Sequence, residues 1–165
     1  MEQQGKKQIR DLMRDITIDN IMTTRVFSIR EDANLSQAVR LFTEQSLTHL
    51  PVVDENNKVI GLLSHMYVYK TQAPRRFVEG EMTAAKDMLV DGDSFYLKET
   101  LDRFYLKNVM KKDPQTLNLN ESLAVAVHLM ANKRIGCIPV VDDKKNLVGI
   151  VTNQDIINFM AMMLV

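Results

Sequence analysis

The run Pro51-Val52-Val53-Asp54 recurs unchanged as Pro139-Val140-Val141-Asp142, 88 residues further along the chain. Self-similarity at a fixed offset is the sequence signature of a repeated structural unit. Two further landmarks keep this offset: Met22 with Met110, and Gly61 with Gly149. The chain of 165 residues therefore contains two copies of one unit of about fifty residues.

Each copy predicts the same order of elements: strand, helix, strand, strand and helix. An apolar spacing of i, i+3, i+4 and i+7 begins at Leu35 in copy one and at Leu123 in copy two, and this spacing forms one face of a helix. Asn34 and Ser122 immediately precede these residues and are favoured at the N-cap of a helix. Two short apolar runs across a polar turn follow, as in a pair of antiparallel strands. These elements together predict an α+β fold.

The segments outside the two copies also show helical patterns. Apolar residues at helical spacing between Ile9 and Ile16 predict an amphipathic helix that packs on the core. Between the copies, the sequence predicts short helices over Thr83 to Leu89 and Leu97 to Tyr105, separated by a turn at Asp91-Gly92-Asp93. We therefore divide the chain into an N-terminal helical extension (1–17), a first repeat (18–72), an inserted segment (73–104) and a second repeat (105–165).

Charge and composition argue against several classes of protein. The chain has 21 Lys and Arg against 21 Asp and Glu, which disfavours a nucleic-acid binder with a broad basic field. Its one cysteine allows no intrachain disulfide and fits a reducing compartment, and no Cys/His cluster has zinc spacing. The chain shows no signal-peptide core and no apolar run near the ~18 residues of a membrane helix. We expect a cytoplasmic protein with no membrane span, no metal and no required cofactor.

The order, spacing and duplication of the motifs in the two copies together resemble the CBS domain, named after cystathionine β-synthase. The resemblance covers about residues 18–67 and 106–159. It implies that the repeats form one compact module with pseudo-twofold symmetry and with clefts between the repeats. Besides the two Pro-Val-Val-Asp runs, the motifs that carry it are Ile21-Met22-Thr23, Val109-Met110, Gly61-Leu62-Leu63-Ser64 and Gly149-Ile150-Val151-Thr152-Asn153-Gln154-Asp155.

The resemblance also implies a function. CBS pairs hold adenosine-type ligands such as AMP, ADP, ATP, S-adenosylmethionine or cyclic di-AMP, commonly form dimers through their helices, and regulate another protein. No effector domain fits within this chain, so we expect a stand-alone regulatory module that binds an adenosyl ligand, forms a homodimer and modulates an unidentified partner. The alternative is an interaction scaffold that dimerises without a ligand. We expect no enzyme, since the sequence shows no paired carboxylates and no nucleophile–base motif.

Copy two matches the ribose-binding motif of the family from Gly149 to Asp155. Asp155 would lie in the first turn of a helix, where the dipole favours a carboxylate, and its acceptor oxygens suit ribose hydroxyls. Thr152, at or near the N-cap, would leave donors for a phosphate. The alternative is that both residues simply cap the helix. Copy one keeps Ser64 but has Tyr67 where Asp155 stands, and a tyrosine cannot grip a diol as a carboxylate does.

The family pattern supplies further candidates for ligand binding. Thr48 fits the small polar position of the segment that precedes the proline of copy one. In copy two, the resemblance implies that backbone groups near Thr116 and Ile138, beside Pro139, bind an adenine edge. For Thr116, an ordinary strand residue is the alternative. Arg134 precedes Pro139 by five residues, where related modules often carry a phosphate-binding cation. Ordinary surface charge is the alternative for Arg134.

Three other features are predicted to have simpler roles. Cys137 is expected to be a small core or cleft residue, because no neighbour in sequence would stabilise its thiolate. His49 is either a cleft residue near a phosphate or a structural residue. The methionines of the tail, Met160, Met162 and Met163, suit an adaptable apolar contact, for which we predict dimer packing, with core filling as the alternative.

Overall fold

The computed structural model describes residues 2–66, 88–91, 94–97 and 101–164. Short strands and helices alternate along the chain, so the predicted α+β class is confirmed. In chain order the elements are α1 (Glu2–Asp15), a 3-10 helix (Ile18–Asn20), β1 (Ile29–Arg30), α2 (Leu35–Glu44), β2 (His49–Val53), β3 (Val59–Ser64), β4 (Met88–Asp91), β5 (Ser94–Leu97), α3 (Leu106–Val109), β6 (Lys111–Lys112), β7 (Leu117–Asn118), α4 (Leu123–Lys133), β8 (Cys137–Val141), β9 (Leu147–Thr152) and α5 (Asn153–Met163).

The chain forms two compact units, and each takes sequence from both copies. Unit 1 comprises the described residues of Met1–Val26, Asn57–Val59 and Pro114–Val165, and unit 2 those of Phe27–Asn56 and Ile60–Asp113. The segment that opens copy one therefore belongs to the unit that holds most of copy two, and the reverse holds for the segment that opens copy two. The boundaries that we drew from the sequence describe the copies along the chain and stay a prediction.

Unit 1 is built on the sheet β7-β8-β9. β7 runs parallel to β8, with Leu117 opposite Val140, and β8 runs antiparallel to β9, with Ile138 opposite Val151. α4 lies next to β8, and α1 packs on α4. The buried apolar residues that form the core of this unit are Ile18, Leu117, Ala126, Met130, Ile138, Val140 and Val151.

Unit 2 repeats this arrangement with the sheet β1-β2-β3-β6. β1 pairs in parallel with β2, and β6 pairs antiparallel with β3. The apolar face of α2 covers the sheet, as its period of i, i+3, i+4 and i+7 predicts. The buried core residues are Ile29, Leu35, Ala38, Val39, Phe42, Leu50, Val52, Leu63, Leu101 and Leu106.

The methionine and glycine landmarks of the repeat are contact partners. Met22 of copy one lies across Gly149 of copy two, and a Cβ on that glycine would stand 2.5 Å from the Met22 sulfur and 3.2 Å from the Thr23 carbonyl oxygen. Met110 of copy two lies in the same way across Gly61 of copy one. A glycine recurs at this position because a side chain there would collide with the methionine.

The two predicted N-caps differ in their hydrogen bonds. Asn34 forms a capping box with Gln37: the Asn34 Oδ1 accepts from the Gln37 backbone N at 3.1 Å, and the Gln37 Oε1 accepts from the Asn34 backbone N at 3.0 Å. Ser122 stands at the N-cap of α4 without a side-chain hydrogen bond to it. Its backbone instead pairs with Thr17 in a β-bridge. Both N-cap positions are confirmed, but only the first uses its side chain.

The N-terminal helix is confirmed. The helices predicted for the inserted segment are wrong at Leu89 and Leu97, which lie in strands, and the second is helical only at Leu101 and Asp102 among its described residues. α1 packs on α4, although Ile9 stays 58% exposed. β4 and β5 pair antiparallel, with Leu89 opposite Tyr96, where we predicted helix at Leu89 and Leu97. Val, Phe and Tyr favour extended backbone, and two such runs on either side of a short turn gain hydrogen bonds by pairing.

Three other expectations fall on residues that the structure does not describe. The first inserted helix over residues 83–87 lies outside the described residues. The same holds for the centre of the turn at Gly92 and Asp93, and for Tyr67. The second helix of copy one, which we predicted after Ser64, also lies largely outside them.

Candidate functional site

One end of the unit 1 sheet collects most of the predicted site residues. β7 and β8 run parallel and begin at this end, so Thr116 and Ile138 lie close to it. β9 runs antiparallel to β8 and ends here at Thr152, opposite Cys137. Pro139 follows Ile138 in β8 and is buried. The pairing of three strands therefore brings together residues from three separate stretches of copy two.

Thr152 and Asp155 form a capping box at the start of α5. The Asp155 Oδ2 accepts from the Thr152 backbone N at 2.7 Å and from the Thr152 Oγ1 at 2.6 Å. The Asp155 backbone N in turn donates to the Thr152 Oγ1 at 3.3 Å. The half-buried carboxylate is thus held at the end of the sheet, where the helix dipole favours a negative charge. The capping geometry that we stated as the alternative is confirmed.

Thr23 is a further hydrogen-bond partner of the Asp155 carboxylate that was not predicted from the sequence. The Thr23 Oγ1 donates to the Asp155 Oδ1 at 2.9 Å. Two backbone hydrogen bonds with Ile150, of 2.9 and 3.0 Å, form an antiparallel β-bridge that holds Thr23 beside β9. The sequence signal was present, because Thr23 ends one of the motifs that carry the family resemblance, but the motif was assigned to copy one alone.

The neighbouring thiol is held neutral. Burial raises the pKa of Cys137 to about 12, and the charge of Asp155 adds to that rise. A thiol with this pKa is protonated at neutral pH and is a poor nucleophile. With 2% of its surface exposed, Cys137 is confirmed as a buried structural residue.

Arg134 lies in the connection between α4 and β8. It is the C-cap residue of α4, its backbone is left-handed with φ of 53°, and its N–H donates to the Met130 carbonyl oxygen. Its side chain is exposed. Arg134 therefore precedes the strand that carries Cys137 and Ile138, in the same unit as Asp155.

Thr48 and Ser64 belong to unit 2, whereas the other six predicted site residues belong to unit 1. Ser64 ends β3, and the next residue, His65, donates its backbone N–H to the Thr48 carbonyl oxygen at 2.9 Å. The Thr48 Oγ1 lies 3.0 Å from the Nδ1 of His49, whose pKa is lowered by burial. Thr48 and Ser64 thus meet at the equivalent end of the other sheet.

The comparison with protein families agrees with this double arrangement. The family model of the CBS domain matches residues 9–71 and 106–162. The chain belongs to the CBS domain family. The sheets β1-β2-β3-β6 and β7-β8-β9, with their helices, are built mainly from the two tandem CBS repeats.

The chain is similar to curated relatives of different length. A homoserine O-acetyltransferase of Methanococcoides burtonii is 28% identical over 148 residues, which cover 90% of this chain and 25% of that protein. A CBS domain-containing protein of Dictyostelium discoideum is 24% identical over 156 residues, which cover 90% of this chain and 94% of that protein. The chain thus spans about a quarter of the length of the first relative and nearly all of the second.

Solved CBS structures share the fold. CBSX2, solved in complex with AMP, has a TM-score of 0.70 and 20% identity, with 91% of this chain and 99% of that chain covered. The CBS domain pair of protein MJ0100, in complex with 5′-methylthioadenosine and S-adenosyl-L-methionine, has a TM-score of 0.66 and 19% identity, with 89% and 97% covered. The cytosolic domain of the Mg2+ channel MgtE, in complex with ATP, has a TM-score of 0.64 and 18% identity, with 91% and 51% covered.

Membrane-spanning helices and metal sites can be assessed for the described residues. None of the helices that the structure describes has the length and apolar character needed to cross a membrane. Within residues 2–66 and 101–164, His, Cys, Asp and Glu side chains form no group of three that is arranged to hold a metal ion.

Proposed function

We propose that the CBS repeats of this chain form a regulatory module that binds an adenine nucleotide or another adenosyl compound. The single observation that carries the proposal is the Asp155 carboxylate, held by Thr152 at the end of the unit 1 sheet. An oriented carboxylate is an acceptor for ribose hydroxyls. Three proteins of the same fold, each under 25% identical to this chain, were solved with AMP, ATP or S-adenosyl-L-methionine, which supports this class of ligand.

Each residue around Asp155 has a chemical role in this proposal. Asp155 accepts from the ribose hydroxyls, and the first turn of α5 beginning after Thr152 offers backbone donors to a phosphate. The ends of β7 and β8 near Thr116 and Ile138 present backbone groups to the adenine edge, and the buried Pro139 follows Ile138 in β8. The exposed Arg134 supplies a positive charge for a phosphate.

In unit 2 we propose a weaker version of the same site. Thr48 and Ser64 offer hydroxyl groups at the equivalent end of the sheet, beside the half-buried His49. The position equivalent to Asp155 is Tyr67 in the sequence. Because a phenol is a weaker acceptor for a diol than a carboxylate, we place the primary ligand in unit 1.

Regulation requires that the ligand binds two states of the protein with different affinity. We propose that occupancy of the Asp155 site changes the affinity of the module for a partner protein, and that the module acts by binding and not by catalysis. Turnover of the bound nucleotide, measured as release of phosphate or adenine, would contradict the second part.

Thermal unfolding with a ligand panel tests the proposal. The panel contains AMP, ADP, ATP, S-adenosylmethionine and cyclic di-AMP, with GMP as the guanine control. A ligand at ~100 times its Kd stabilises the native state by about 2.7 kcal/mol, which for a chain of this size raises the Tm by roughly 5–10 °C. We expect such a shift with at least one adenine ligand and its loss in Asp155→Ala.

A matched variant separates binding from capping. Gln37→Ala removes the corresponding residue of the capping box of α2 in unit 2, so it perturbs a helix start without touching Asp155. The ligand-induced shift should survive in Gln37→Ala. Absence of any shift at millimolar ligand, or an equal shift in wild type and Asp155→Ala, would overturn the proposal.

An interaction scaffold is the second candidate, and one surface favours it. α5 and the residue after it expose apolar side chains, with Met162 75% and Leu164 85% exposed. Ile157, Met160 and Met163 are also between 46% and 58% exposed. Apolar patches on a stable protein mark interaction sites, and flexible methionines adapt to a partner surface. We propose that this face of α5 forms a homodimer contact.

Light scattering of the purified protein tests this second function. Met160→Glu should convert a dimer to a monomer, because a charge would be buried without a partner. Met66→Glu in unit 2, where Met66 is 62% exposed, is the control and should leave the mass unchanged. A wild-type protein that is monomeric at high micromolar concentration would contradict the dimer.

A further inference from the structure

The Asp155 carboxylate is nearly saturated by the protein itself. An ionised carboxylate has about four lone-pair positions, two on each oxygen. On Oδ2, both positions are used by the backbone N and the Oγ1 of Thr152. On Oδ1, one position is used by the Thr23 Oγ1 at 2.9 Å. One position on Oδ1 is left for a ligand.

A ribose with free 2′- and 3′-hydroxyls brings two donors to this carboxylate. The Thr152 donors belong to the helix cap, and their loss would unpair the start of α5. The Thr23 donor is different, because its side chain is exposed and its hydroxyl can turn to water. The donor that a second ribose hydroxyl can replace is therefore that of Thr23.

The backbone holds Thr23 where this exchange is possible. Its N–H and carbonyl oxygen both pair with Ile150, and the preceding Met22 lies on Gly149. These contacts do not depend on the Thr23 hydroxyl. The side chain can thus release Asp155 while the main chain keeps its place beside β9.

We infer that the Thr23 hydroxyl acts as an internal competitor that occupies the acceptor position of Asp155 until a vicinal diol replaces it. This rests on the proposed function and adds to it a residue that sets affinity and selectivity. A ligand with both hydroxyls must displace Thr23, whereas a ligand with a single free hydroxyl on each ribose uses the open position and leaves Thr23 bonded. Thr23 does not touch the ligand in this role and sets its affinity through Asp155.

Calorimetric titration of wild type, Thr23→Val and Thr23→Ser tests the inference. Valine keeps the branched shape of threonine and removes the donor, and serine keeps the donor. The probes are AMP, ATP and S-adenosylmethionine, which carry a vicinal diol, and 2′-deoxy-AMP and cyclic di-AMP, which do not. Since one hydrogen bond to a carboxylate no longer competes, Thr23→Val should bind the diol probes about three- to tenfold more tightly.

The controls make the outcomes distinct. Thr23→Ser should bind like wild type, and Thr23→Val should leave the Kd of the single-hydroxyl probes unchanged within a factor of about two. If wild type binds a diol probe and Thr23→Val binds it equally or more weakly, the inference is overturned while the proposed function stands. If no variant binds any probe at millimolar concentration, the proposed function fails and the inference falls with it.

Discussion

Thr152 ends β9 in unit 1, and Ser64 ends β3 in unit 2, at positions that the repeat makes equivalent. The residue after each strand end donates its backbone N–H to the residue before the neighbouring strand, from Asn153 to Gly136 at 3.0 Å in unit 1 and from His65 to Thr48 at 2.9 Å in unit 2. Even the left-handed residue before that strand recurs, with φ of 53° at Arg134 and 52° at Ser46. The backbone is thus repeated closely while the side chains at the sheet end are not, so the fold and the chemistry of this end vary separately in this chain.

The largest effect that distinguishes the units is expected at the two repeat glycines. Gly149→Ala should destabilise the protein by about 1–3 kcal/mol, as overpacking does, because the added Cβ would meet the Thr23 carbonyl oxygen at 3.2 Å. That oxygen is held by its bond to Ile150 and cannot move away freely. Gly61→Ala should cost less, since the three atoms nearest its new Cβ all belong to the flexible side chain of Met110.

Urea unfolding of both alanine variants measures this difference. The two substitutions are chemically identical and occupy equivalent positions, so each serves as the control for the other. A loss in Gly61→Ala that equals or exceeds that in Gly149→Ala would contradict the argument from the Thr23 backbone.

A smaller difference is expected at the first helix of each repeat. Asn34→Ala should cost about 1 kcal/mol, because it removes the side chain that accepts from the Gln37 N–H. Ser122→Ala should cost less than the roughly 0.5 kcal/mol at the low end of N-cap losses, since Ser122 makes no side-chain hydrogen bond to its helix. Denaturant midpoints of the two variants decide the matter, and equal losses would show that Ser122 caps α4 in solution.

The smallest effect is the pH dependence of stability that His49 contributes in unit 2 and Cys137 in unit 1. Burial lowers the pKa of His49 from 6.5, so in mildly acidic solution the unfolded chain binds more protons than the native one. Stability is then fully present above about pH 6.5 and is lost as the pH falls through the folded-state pKa. The pKa of Cys137 is raised from 9.0 to about 12, so its effect on stability has the opposite direction. The native state loses stability as the pH rises above about 9, where the thiol of the unfolded chain ionises.

Unfolding midpoints between pH 5 and pH 7.5 test the histidine half of this contrast. His49→Asn should flatten the decline of wild-type stability toward pH 5, because the titrating group is gone. His128→Asn, at an exposed position on α4, is the control and should keep the wild-type slope. The same slope in His49→Asn and wild type would rule out His49 as the source.

Several features of the site followed from local patterns. The N-caps at Asn34 and Thr152 were predicted because capping depends on residues within one turn of each other. A core or cleft position of Cys137 was predicted because no neighbour in sequence would stabilise its thiolate. The β4–β5 pairing was missed, because a short run with both helical and extended potential is decided by whether a partner strand is available.

By itself, the sequence determined the repeat, the order of elements in copy two and in copy one as far as β3, and the placement of Thr152 and Asp155 at a helix start. The elements and caps follow from short-range spacing. Only the tertiary structure decided that the opening segment of copy one completes the unit of copy two. Thr23 meets Asp155 across 132 residues of chain, and Met22 meets Gly149. Such contacts depend on which strands become neighbours in the fold, and no local pattern contains that information.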